Sequence, residues 1–315
     1  MFSRQSFGKK QLGFSLVELM VAMVIGLIVT GIISQVVSLY GSQKRTTSGV
    51  SDAQTNGTFA LYAIQRELQQ AGYGLPLFDT ENPPLKCNLA GIAMVNILTG
   101  ATSDTITVRY GDSAFAGTPV KMLTGSAGAS AVVSTSLGCK VNDDALITKG
   151  TSCDLKKVKV VATGSVTLNA ASANNVEGAS LSCLGAWRTV QFNMNANQLV
   201  RSENGGAAES VGAEIVAIKA QYGISSTAAD NVVTSWSSVM PADRNQIKAM
   251  RVAVVARSGL REKTAVTTVA PVAWDAASAP IIDLSGDPEW QQYRYRVFET
   301  IIPLRNMIWS KETLT

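Results

Sequence analysis

Three groups of residues in this 315-residue chain have a type and spacing that could do chemistry. The first is a single carboxylate. From Leu19 to Gln43, 25 residues pass without Asp, Glu, Lys or Arg, and Glu18 stands where that run begins. A charge at the bilayer centre costs on the order of 2.5–3.5 kcal/mol, so Glu18 either sits at the membrane edge or has a specific partner. The second group is four cysteines, Cys87, Cys139, Cys153 and Cys183, all beyond the apolar run. An even count without CxxC spacing reads as two disulfides in an oxidising compartment, with three connectivities open. A local Cys139–Cys153 bridge, leaving Cys87–Cys183, is the expected one. The third group is acidic. Asp283, Asp287 and Glu289 share a turn-like stretch, and Asn142-Asp143-Asp144 forms another. Calcium would need more oxygen ligands at defined spacing, so both read as turns and no metal is expected.

Several chemistries are excluded. The chain has no His, which removes Ser-His-Asp and Cys-His catalysis and His-ligated zinc or haem. Thr148-Lys-Gly-Thr-Ser152 holds the parts of a phosphate loop in the wrong order. No catalytic residue or cofactor is expected, and the chain does not read as an enzyme. The net charge of +4 is too small to point to nucleic acid, and Lys156-Lys157-Val158-Lys159 reads as a strand with a solvated edge. A 46% hydrophobic, 16% charged composition excludes disorder and suggests one segment unlike the rest.

That segment is the apolar run, long enough to span a bilayer as a helix. Arg4, Lys9 and Lys10 precede it without an acid, and Lys44 and Arg45 follow, which favours a cytoplasmic N-terminus and an exported body. It is longer than the core of a secretory signal and lacks a clear Ala-x-Ala site behind it. Beyond it, Ala53, Gly57, Ala60, Leu61, Ile64, Leu68 and Ala71 recur at helical spacing, with Asp52, Arg66 and Glu67 off that stripe. Gly72 suits a left-handed cap. A continuous helix from Phe14 to Ala71 would measure about 87 Å at 1.5 Å per residue.

Lys9-Lys10-Gln11-Leu12-Gly13-Phe14-Ser15-Leu16-Val17-Glu18-Leu19 resembles the prepilin-type leader of type IV pilins and pseudopilins. The resemblance implies a membrane prepilin peptidase that cuts between Gly13 and Phe14 and N-methylates Phe14. It also implies that Glu18 acts in subunit assembly. Without Arg4, Lys9 and Lys10 the basic side chains number 24 against 23 acidic, so the positive bias lies mostly in the leader. The implied organisation is a leader over 1–13, a transmembrane half-helix over 14–40, an amphipathic half-helix over 41–72 and a β-rich head over 73–315.

Within the head, 105–110 alternates cleanly as a strand. Further strands are expected at 155–161, 187–194, 198–202, 215–222, 247–257 and 293–304. Residues 111–138, 162–182 and 223–238, rich in Gly, Ser, Ala and Asn, read as long surface loops. The expected fold is α+β: a long N-terminal helix packed on an antiparallel sheet, with strand-rich insertions as a second layer or subdomain. Ser103–Gly111, Glu214–Gly223, Ile247–Ser258 and Arg296–Asn306 resemble the segments of PilW-type minor pilins. That resemblance implies a subunit that helps initiate type IV pilus assembly, at or near the tip, and supports twitching motility and adhesion. Implied partners are other minor pilins, the major pilin, an inner-membrane assembly platform, inner-membrane lipid and a tip adhesin. The implied location is the inner membrane with a periplasmic head, then the pilus surface. A minor pseudopilin of type II secretion is the alternative, though about 240 head residues favour the pilus. A membrane-tethered periplasmic receptor would leave Gly13, Phe14 and Glu18 as coincidences.

Overall fold

The computed structural model describes residues 13, 15–75, 92–124, 128–274 and 282–308. Cys87 and Phe14 lie outside them. Helix α1 runs over Leu16–Gln70. The chain divides into two compact units, residues 1–49 and 50–315, and α1 contributes to both.

In the first unit every described side chain from Ser15 to Gly41 is exposed, including the whole apolar run to Tyr40. In the second, α1 buries Ala53, Gly57, Ala60, Ile64 and Leu68, and Ala71 just past its end is buried too, the spacing read from the sequence, with Leu61 partly covered. The small residues let the helix approach closely. A Cβ on Gly57 would lie 2.2 Å from the Phe298 ring, and one on Gly212 would lie 3.4 Å from the Ala60 Cβ. Gly72 stops the helix with φ +76°, and its N–H donates to the Arg109 carbonyl at 2.9 Å. The Asn306 side chain donates to the Ala71 carbonyl at 2.9 Å, satisfying an end group the helix cannot pair itself.

Two antiparallel sheets share this core. The first holds β1 (Val95–Leu98), β2 (Thr105–Tyr110), β9 (Arg188–Asn195), β10 (Gln198–Glu203) and β11 (Glu209–Ala213), in spatial order β1-β2-β9-β10-β11. The second has the order β13-β12-β14-β15, from β12 (Ile215–Ile224), β13 (Ser235–Ser237), β14 (Ile247–Arg257) and β15 (Tyr295–Pro303). Their inner faces supply Ile106, Val108, Phe192, Leu199, Ile218, Tyr222, Val252, Val254 and Ile302 to the cluster around α1. The short helix α2 (Arg305–Ile308) follows β15 and adds Met307.

The insertion between the neighbouring strands β2 and β9 folds as a closed six-stranded barrel. Its strands are β3 (Val120–Thr124), β4 (Ser130–Val133), β5 (Asp144–Lys149), β6 (Ser152–Ala162), β7 (Ser165–Leu168) and β8 (Ser180–Cys183), closing in the order β3-β4-β7-β6-β5-β8. Residues 111–138 and 162–182 are therefore not simply loops: they contain β3, β4, β7 and β8. These strands have only four or five residues, but Val120/Met122, Ala131/Val133, Val166/Leu168 and Ala179/Leu181/Cys183 alternate inward at period two. Ala145 and Ile147 of β5 face this interior, while Leu146 faces the main core and joins the two.

The disulfide pairing differs from the expected one. Cys139 bonds Cys183, with Cα atoms 5.2 Å apart and a sequence separation of 44. Closing the barrel brings β8 beside β5, where Cys183 stands opposite Ala145, within reach of the turn that carries Cys139. Cys153, the second residue of β6, stands opposite Thr148 on the face turned to the main core, and is oxidised as well.

Candidate assembly site

Gly13 is exposed, and nothing lies within 4 Å of where its Cβ would be. The first α1 hydrogen bond set runs from Leu19 N–H to the Ser15 carbonyl at 3.1 Å, which places Glu18 in the opening turn. The free N–H groups there give the helix start a partial positive charge, so a carboxylate is favoured at that end. Beyond Glu18 the surface is apolar: Leu19, Met20, Val21, Met23, Val24 and Ile25 are all exposed. In the middle of the run the Thr30 hydroxyl is turned back onto the Gly26 and Leu27 carbonyls. That geometry hides a donor that a membrane could not satisfy. The helix is long and apolar enough to cross a membrane.

The other end of α1 carries a carboxylate with a different setting. Glu67 is buried, although its place beside the apolar stripe reads as surface. It accepts from the Tyr110 hydroxyl at 2.7 Å and from Arg201 Nε at 3.2 Å. Arg201 also donates to Glu203, which accepts from Arg188, itself paired with Asp112. The chain of contacts ties α1 to β2, β9 and β10 and to the start of the barrel insertion. Burial, and then the Glu67 carboxylate, push the Tyr110 hydroxyl up to about 12. Burial alone would lower Arg201, but its hydrogen bond to Glu203 and the charge of Glu67 carry it above the usual guanidinium value.

A second buried pair fastens the loop before β2. Lys219 donates to the Gly100 and Ala101 carbonyls and to Asp104, and Asp104 accepts from Ala220 N–H. All three ammonium hydrogens have acceptors, as a buried cation requires. At the barrel neck, Asp144 accepts from Lys157 and from Trp187 N–H, and Asp112 accepts from Ala186 N–H.

The remaining acids form turns. Asp283 is held below the usual carboxylate range by hydrogen bonds from Ser285, and Asp287 accepts from Glu289 N–H and Arg257. Asp143 accepts from Lys140 N–H. Among the described residues no group of three or more His, Cys, Asp or Glu is placed to hold a metal ion.

Comparison with known proteins bears on both ends of the chain. The family model for Type IV Pilus-assembly protein W matches residues 185–306, which hold β9–β15. The model for the prokaryotic N-terminal methylation motif matches residues 8–34, the segment containing Gly13, Phe14 and Glu18. Neither match reaches the barrel. Among solved structures, a type IV-like pilin from Thermus thermophilus aligns with 11% identity and a TM-score of 0.41, over 82% of this chain and 98% of that one. No curated protein matches the chain.

Proposed function

We propose that this chain is a PilW-like type IV pilus minor pilin that helps initiate pilus assembly and sits at or near the tip, a reading that its two family matches support. The observation that carries this reading is one helix with two jobs. Its first half is a bare apolar surface with a carboxylate in the opening turn; its second half is the spine of a folded head.

Prepilin peptidase cuts between Gly13 and Phe14, removes the basic leader and methylates the new Phe14 amine. The helix stays attached, first as a membrane anchor and then as a filament core element. Phe14 and Glu18 are four residues apart, about 6 Å along a helix. On assembly, Glu18 of one subunit neutralises the terminal amine of a neighbour and so sets the axial register. A mismatched register leaves two charges unpaired in an apolar setting, where removing one partner of a buried pair costs about 3–5 kcal/mol. The Cys139–Cys183 bond and the oxidised Cys153 fit a head that matures in the periplasm before reaching the surface. Other minor pilins, the major pilin and the assembly platform are the expected partners, with a tip adhesin above. Pilus-dependent twitching and adhesion follow from that place.

Deleting the gene and scoring surface filaments and exoprotein release tests the assignment. Loss of filaments with normal secretion is expected. Lost secretion with normal piliation would instead make the chain a pseudopilin.

A further inference from the structure

We propose that the cavity beside Arg257 is a docking site for a lysine or arginine side chain of a partner polypeptide. The inference concerns a surface of the head and does not depend on the filament reading above.

The cavity holds about 340 Å³ and lies where the segment 283–288 meets the second sheet. That volume is at the small end of ligand pockets, enough for one side chain rather than a large cofactor. Its walls are of two kinds. Val216, Leu284, Pro288 and Tyr295 give an apolar side, with the Tyr295 hydroxyl already donated to the Trp290 carbonyl at 3.0 Å. Arg257, Asp283 and Asp287 give a charged side. Arg257 is 12% exposed and fully engaged: Nε donates to Glu214 at 2.7 Å, Nη1 donates to Asp287 at 3.0 Å, and the guanidinium lies 4.2 Å from the Tyr293 ring centre. Asp283 is exposed, and its hydrogen-bond donor is Ser285 rather than a cation. Glu289 close by is matched by Arg261. Three carboxylates, Glu214, Asp283 and Asp287, therefore share one guanidinium, and the cavity is short of positive charge.

The chemistry of the occupant follows. An anion would meet Asp283 and Asp287 with Arg257 already committed. A neutral chain would cover those carboxylates without pairing them, a cost without return. A cation on an alkyl stem suits both walls: the stem lies along Val216, Leu284 and Pro288, and the head reaches the carboxylates beside the Tyr295 ring. Lysine and arginine have that build. An exposed ion pair contributes too little to hold a small ligand by itself, so the remaining affinity must come from the polypeptide that carries the side chain.

The test uses the full chain in detergent, with Nα-acetyl-lysine amide as the probe and Nα-acetyl-norleucine amide as its uncharged counterpart. Saturation transfer from the protein to the side-chain methylenes is expected for the lysine amide and should be weaker for the norleucine amide. Asp283→Asn changes an exposed side chain and keeps an acceptor for the Ser285 N–H. It should weaken the lysine signal about two- to fivefold, the range an exposed ion pair supports. Equal signals from the two probes, or a lysine signal that Asp283→Asn does not move, would overturn the site. In cells, a photo-crosslinking residue at Thr102, an exposed residue of the cavity wall, identifies the source. The expected adducts map beside a lysine or arginine of another polypeptide and are lost on Asp283→Asn. Adducts that persist in that variant or map far from any basic residue, or no adducts at all, would overturn the partner. Displacement of the probe by micromolar putrescine would overturn it too, in favour of a free polyamine.

Discussion

Glu18 and Glu67 are carboxylates on one helix, and their surroundings are opposite. Glu18 is exposed in the opening turn, ahead of an apolar surface that has no use for a charge inside its own chain. Glu67 is satisfied within the chain by Tyr110 and Arg201. Glu18→Ala is therefore expected to be cleaved normally but recovered poorly in sheared filaments, and normal recovery would refute its registering role. Glu18 was legible in the sequence because it interrupts a run. Glu67 was not, because it lies one residue before Leu68 at the edge of the stripe and its partners are 43 and 134 residues away. Burial also pushes the hydroxyls of Tyr110, Tyr222 and Tyr295 up to about 12, from an ordinary 10.0. The folded head then keeps protons that the unfolded chain releases between those values. Stability should be full below pH 10 and fall as the pH rises toward 12. Denaturant midpoints across that window check it; a flat profile would show that these hydroxyls ionise alike in both states.

At the scale of elements, the packing of α1 depends on what its small residues leave out. Gly57 is a poor helix former kept where a Cβ would enter the Phe298 ring. Gly57→Leu should lower head stability by about 1–3 kcal/mol through overpacking, despite the gain in helix propensity. Chemical denaturation in detergent would measure it, and an unchanged midpoint would mean that β15 yields freely. The helical stripe was read correctly because apolar spacing of three and four is a local signal. The strands β2, β9, β10, β12, β14 and β15 were equally readable, being long or cleanly alternating. Strands β3, β4, β7 and β8 read as loops in the sequence because Ala and Ser fill several of their positions and each has only two or three inward residues. Their identity comes from pairing around the barrel, which no local window contains.

For the whole molecule, the barrel is an insertion between two neighbouring strands of the first sheet. Tyr110 and Arg188 are directly paired across β2 and β9, so the chain leaves and re-enters the sheet at one place. The neck is fixed by backbone contacts as well as by Asp112 and Asp144: a Cβ on Gly117 would lie 1.7 Å from the Gly74 carbonyl oxygen. The Cys139–Cys183 bond closes the barrel over a 44-residue separation. Loop-closure entropy for that length puts the cost of the Cys139→Ser/Cys183→Ser double variant at about 4 kcal/mol. Protease resistance of the barrel should drop, while the sheets around α1 persist; equal resistance would show that barrel packing alone suffices. The pairing could not be read from the sequence because Cys153 is much nearer to Cys139 along the chain. Only barrel closure brings Cys183 closer in space.

The reading of the chain as an assembled filament subunit depends most on what happens at Gly13. Mass spectrometry of the mature N-terminus, from membranes and from sheared filaments, tests it directly. An N-terminal methylated Phe14 in both fractions is the predicted result; an intact Met1, or a terminus beyond residue 34, would contradict it.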